Sequence, residues 1–92
     1  MTIKEFLDHI KRIHRGSHFF WDSFGDLRQA KTGRCPITAV CYNLTGEMVD
    51  NGEYEYAGKK IGLKSRNIEN IVDAADSTGN PKLNKKLHSI VK

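Results

Sequence analysis

The sequence predicts a mainly α, compact small domain of four to five helices over residues 1–92, with a short β-hairpin near residues 26–36. Three observations predict it. Apolar residues recur at three- and four-residue spacing in successive segments that open near Thr2, Cys35, Asp50, Ser65 and Asn80. The two prolines and most of the eight glycines fall at the edges of those segments, where helices start and stop. A chain of 92 residues is also at or below the usual size of one domain, so it builds a single small core.

The first helix opens on Thr2 and Glu5, the T-x-x-E capping box in which each side chain satisfies a first-turn backbone donor. Ile3, Phe6, Leu7, Ile10 and Ile13 then form one apolar stripe. Lys11, Arg12 and Arg15 occupy the last turn, where cations suit the helix dipole, and Gly16 is placed to take a left-handed cap.

Residues 17–34 fit neither the helical nor the strand period. Phe19, Phe20, Trp21 and Phe24 are expected to bury much of their area, since together they would otherwise form an exposed apolar patch. A short helix or turn there is followed by a hairpin that sets Leu27–Gln29 against Arg34–Pro36 about Lys31-Thr32-Gly33.

"CPITAVCYNLTG" reads as a second helix, with Pro36 at its first position and Gly46 at its end. Ile37, Val40, Cys41 and Leu44 share a face. Its β-branched residues keep a strand open as the alternative. A third helix starts at Asp50 or Asn51, turns Tyr54, Ala57, Gly58 and Ile61 inward, and closes at Gly62. Ser65 caps a fourth, with Ile68, Ile71, Val72 and Ala75 inward. Asn80 and Pro81 open a fifth, which packs by Leu83, Leu87, Ile90 and Val91.

Composition narrows the function classes. No apolar run approaches the roughly 20 residues needed to span a membrane, and the start lacks the order of a signal peptide. The chain is therefore expected in the cytoplasm, without a membrane partner. On a shared helix, Cys35 and Cys41 would diverge by about 120° and stand about 9 Å apart along the axis. That geometry excludes a disulfide and suggests two reduced core thiols. His9, His14, His18 and the cysteines show no metal-ligand spacing, so no metal and no cofactor is expected. Cys35, beside Arg34 at a helix start, meets part of the description of an activated thiol, but no partner base is identifiable. No catalytic residue is assigned, and the chain reads as a non-enzyme.

Charge is more informative. The net charge is +4, and it is laid out in blocks. Glu47, Asp50, Glu53 and Glu55 stand without a base among them. Lys59, Lys60, Lys64 and Arg66 follow without an acid, and from Ser77 onward Lys82, Lys85, Lys86 and Lys92 are the only charges. Such blocks are either solvated faces or a footprint for nucleic acid or an acidic partner.

In "AGKKIGLKSRNIENIV", Gly58, Gly62, Leu63, Ile68 and Ile71 follow the order of a helix-turn-helix: small residue at the crossing, glycine at the corner, apolar anchors beyond. Over about twenty residues the stretch resembles the helix-turn-helix of phage-type repressors. The resemblance implies that Lys64, Ser65, Arg66 and Asn67 begin a recognition helix. Glu69, Asp73 and Asp76 depart from that pattern, and the same order also builds any tight two-helix corner. Residues 54–75 thus support a DNA-binding regulator as the alternative function.

The succession "GRCPITAV", "LTG", "AGKKIGL", "NIVDAAD" and "NKKLHSIV" resembles, across residues 33–92, a set of small bacterial and prophage accessory proteins. The resemblance implies a phage or mobile-element protein of the anti-CRISPR kind, which docks on a host complex rather than performing chemistry. The leading expectation is a non-enzymatic inhibitor that binds a nucleic-acid or ribonucleoprotein complex. Its contact residues would be Lys59, Lys60, Lys64, Arg66, Asn67, Lys82, Lys85 and Lys86.

Overall fold

The computed structural model describes residues 1–16, 19–21, 27–29 and 35–91, and the side chains of 1–13, 35–50 and 52–90. In chain order it contains α1 (Ile3–Gly16), β1 (Phe19–Trp21), β2 (Leu27–Gln29), α2 (Pro36–Thr45), a 3₁₀ turn (Asn51–Glu53), α3 (Tyr54–Lys60), α4 (Ser65–Ala75) and α5 (Pro81–Val91). The chain is mainly helical, with five α-helices among the described residues, as the periodicity predicts.

Helix α1 begins with the capping box. Thr2 N donates to Glu5 Oε1 at 3.0 Å, and Glu5 N donates to Thr2 Oγ1 at 3.1 Å. The backbone and hydroxyl hydrogen bonds from Thr2 hold the Glu5 carboxyl below its ordinary range. Phe6, Leu7, Ile10 and Ile13 are buried, and Ile3 packs at the edge of the core. The helix runs through Gly16 rather than ending before it.

Helix α2 is the centre of the fold, packing against α1, α3, α4 and β2. Cys35 stands at its N-cap and Pro36 at its first position, and every residue from Pro36 to Cys41 is buried. The strand alternative for this segment is not realised. Gly46 ends the helix in the left-handed conformation (φ 77°), its N–H donating to Tyr42 O at 2.8 Å. One expectation fails: Leu44, assigned to the inner face, is 45% exposed. The helix is enclosed on all sides as far as Cys41 and then leaves the core, so position along the axis, not face, decides its last turn.

The hairpin also differs from expectation. Leu27–Gln29 pairs with Phe19–Trp21, antiparallel, with Phe19 opposite Gln29 and Trp21 opposite Leu27. Among the described residues it does not pair with Cys35 or Pro36, and the expected partner Arg34 lies outside them. Pro36 opens α2 and has no N–H to give a ladder, whereas an aromatic run suits a strand. The expected burial of Phe19, Phe20, Trp21 and Phe24, and the turn at Lys31-Thr32-Gly33, lie outside the described residues.

The third helix starts later than expected. Asp50 and Asn51 lead into the 3₁₀ turn, with Glu53 N donating to Asp50 O at 2.9 Å, and α3 follows from Tyr54. Ala57, Gly58 and Ile61 are buried, with Tyr54 at the margin. Helix α4 turns Ile68, Ile71, Ala74 and Ala75 inward, leaving Val72 half-buried. Ser65, expected as its cap, is its first helical residue, and its hydroxyl donates to Glu55 Oε1 at 2.7 Å. Asn80 (φ 51°) and Pro81 open α5, whose Leu83 and Leu87 are buried and whose Ile90 is partly so. The core thus draws Phe6 and Ile10, Ile37, Ile68 and Ile71, and Leu87 from four different helices.

Neither Cys35 nor Cys41 forms a disulfide. Among the described residues no helix is long and apolar enough to cross a membrane.

Candidate functional site

The corner between α3 and α4 is built from its smallest residues. Gly58 lies against α4 so closely that a Cβ there would stand 2.5 Å from Ile68 Cγ1 and 2.6 Å from Ile68 Cδ1. Gly62 takes φ 91°, a conformation strained for any residue with a side chain. Gly62 N then donates to Lys59 O at 3.0 Å and Leu63 N to Gly58 O at 2.9 Å, which turns the chain into α4. Leu63 and Ile71 are buried behind it.

The basic residues expected around this corner are not equivalent. Lys60 is ion-paired with Glu47, which also accepts from Tyr56 Oη at 2.9 Å. These hydrogen bonds lower the Glu47 pKa and raise that of Lys60. Lys59 pairs with Glu55 one turn earlier at 3.6 Å. Lys64 and Arg66 are exposed at the start of α4, and Asn67 is half-buried. At about 100° per residue, the outward arc of α4 combines Arg66 with Glu69, Asp73 and, just past its end, Asp76. This arc carries more acid than base.

Helix α5 presents the opposite case. Lys82, Lys85, Lys86 and Ser89 are all exposed and fall within an arc of about 100°, opposite buried Leu83 and Leu87. No acid occurs on the helix, and none of the three lysines forms an ion pair among the described residues. The side chain of Lys92 lies outside them. Of the eight residues expected to contact a partner, the structure thus places Lys82, Lys85 and Lys86 on one unopposed surface. Lys59 and Lys60 are matched by carboxylates, and Lys64, Arg66 and Asn67 sit at the other corner.

A cleft of about 250 Å³ opens between the start of α2, the 3₁₀ turn and α4, with Cys35, Tyr54, Val72 and Asp76 on its walls. The Cys35 sulfur accepts from Thr38 N at 3.5 Å, as a helix cap does, and no histidine lines the cleft among the described residues. No group of three or more His, Cys, Asp or Glu among the described residues is placed to hold a metal ion.

Sequence reasoning missed the partners of Lys60 and the surface around Met48. Glu47 and Lys60 stand thirteen positions apart, and nothing local joins them. Among the described residues, Met48, Tyr42, Leu44 and Tyr56 are the large apolar side chains left exposed, and only the path of α2 out of the core reveals this. Compared with protein-family models, with curated proteins and with solved structures, the chain matches none of them.

Proposed function

We propose that the chain is a non-enzymatic binding protein that docks on a phosphate-bearing partner, nucleic acid or a ribonucleoprotein complex, through the outer face of α5. One observation carries this reading: Lys82, Lys85 and Lys86 share an exposed arc with no acid on the helix. Matched surface charges such as Lys59–Glu55 give a polyanion little, since their field is already cancelled nearby. Unmatched lysines gain from releasing the partner's condensed counterions. The action that follows from such binding is occlusion, consistent with an inhibitor of the anti-CRISPR kind.

The test is charge reversal of Lys82, Lys85 and Lys86 to Glu, read by fluorescence anisotropy on labelled duplex DNA and single-stranded RNA. Binding by the parent protein should fall with salt at about −0.9 per phosphate contacted, no steeper than about −2.7 for three lysines on duplex. The triple variant should lose roughly a hundredfold or more in affinity at low salt while unfolding at the parent's temperature. Unchanged affinity would discard this face.

The second reading is a DNA-binding regulator using residues 54–75. It is favoured by the Gly58–Ile68 crossing and the left-handed Gly62, with Lys64 and Arg66 exposed just beyond the corner. Preference for one duplex sequence over random duplex by more than about a hundredfold would support it. Glu69, Asp73 and Asp76 weigh against it, because a helix in the major groove would bring them toward phosphates.

A further inference from the structure

The large apolar side chains exposed among the described residues all fall in one span: Tyr42 (48%), Leu44 (45%), Met48 (64%) and Tyr56 (49%). The span runs from the last turn of α2 through the connection into α3. Helices α2 and α3 pack together, and Tyr56 Oη reaches back to Glu47, next to Met48, so the far end of the span returns to the start of the connection. On α2 itself, Tyr42 diverges from Leu44 by about 160° and does not share its face. Isolated exposed apolar residues need no explanation, whereas a gathered set marks an interaction surface.

The charges of this span state what could cover it. Residues 42–56 hold four carboxylates and no base. Lys60 and Lys59 match Glu47 and Glu55, which leaves Asp50 and Glu53, both exposed, without an ion pair among the described residues. Phosphate and anionic lipid are repelled by such a surface. Lysine and arginine supply both things it lacks, with apolar stems for Leu44 and Met48 and cationic heads for the carboxylates and tyrosine rings. The fold contains one such contact already, with Lys60 Nζ lying 5.8 Å from the centre of the Tyr56 ring.

We infer that the end of α2 and the connection to α3 form a second docking surface, fitted to a basic, partly apolar segment of a partner protein. This surface is independent of the α5 lysines, opposite to them in charge and carried on other elements.

The test is selection of random 20-residue displayed peptides on the immobilised full chain, with sedimentation of the chain alone beside it. Enriched peptides should combine Lys or Arg with Leu or aromatic residues. Leu44→Ser with Met48→Ser, or Asp50→Lys with Glu53→Lys, should each weaken a synthetic copy of an enriched peptide roughly tenfold or more. Both variants should keep the parent's unfolding temperature. Reversal of Lys82, Lys85 and Lys86 should leave peptide affinity unchanged, which separates this surface from the α5 reading. Absence of enrichment, enrichment of acidic peptides, or equal binding by all variants would overturn the proposal. So would self-association lost on changing Leu44 and Met48, which would make the occupant a second copy.

Discussion

Gly58 has no room for a methyl group, because Ile68 is fully buried and its Cγ1 and Cδ1 occupy that space. Gly58→Ala should therefore destabilise the domain by about 1–3 kcal/mol, as overpacking does, despite alanine's better helix propensity. In an Ile68→Ala background the clash is gone, and the same change should be neutral or stabilising. Urea unfolding of the four proteins reads this cycle; an equal cost in both backgrounds would refute the crossing geometry. His9 offers a residue-scale test of a different kind. Arg12 Nη2 lies 2.7 Å from His9 Nδ1, and a guanidinium can only donate, so that nitrogen must hold its lone pair. Burial first, and then the Arg12 charge, lower the His9 pKa. The folded state thus binds fewer protons than the unfolded one. The contribution is present above the ordinary histidine range and is lost as pH falls through the lowered folded value. NMR titration should find the His9 midpoint below the ordinary value, moving only partway back in Arg12→Gln because burial remains.

At the scale of elements, helix starts and stops were legible where a side chain talks to backbone within one turn. The Thr2–Glu5 box, Pro36 and the left-handed Gly46 and Gly62 all stand where the sequence predicts. Elements whose placement depends on distant neighbours were misread: the partner of Leu27–Gln29 and the exposed Leu44. The α4–α5 junction holds another contact of this distant kind. Asn84 Nδ2 donates to Ala74 O at 2.7 Å, satisfying a carbonyl at the C-terminal end of α4 from the next helix. Asn84→Ala should cost about 1 kcal/mol by leaving that acceptor underserved. Asn84→Asp should cost more, since it removes the donor and sets a negative charge at the negative end of a helix dipole. Thermal unfolding of the two variants checks the order.

On the scale of the whole molecule, α1, α3 and α4 pack against α2 while α5 lies against α1 and α4. The described residues carry a lysine arc on α5 and exposed apolar and acidic residues where α2 runs into α3. The charge blocks of the sequence foreshadowed both, yet could not tell matched from unmatched cations. Lys59 and Lys60 read as strongly basic as Lys85 and Lys86, until the fold sets Glu55 and Glu47 beside them. By itself the sequence determined the helical class, the helix boundaries to within a few residues and the identity of most core positions. Those properties follow from periodicity, caps and glycine geometry, which act over three or four residues. Only the tertiary structure decided which cations stay unopposed, which strand Leu27–Gln29 meets and where α2 emerges into water. Each of those depends on residues brought together from distant parts of the chain, and spacing along a sequence carries no direct record of such meetings.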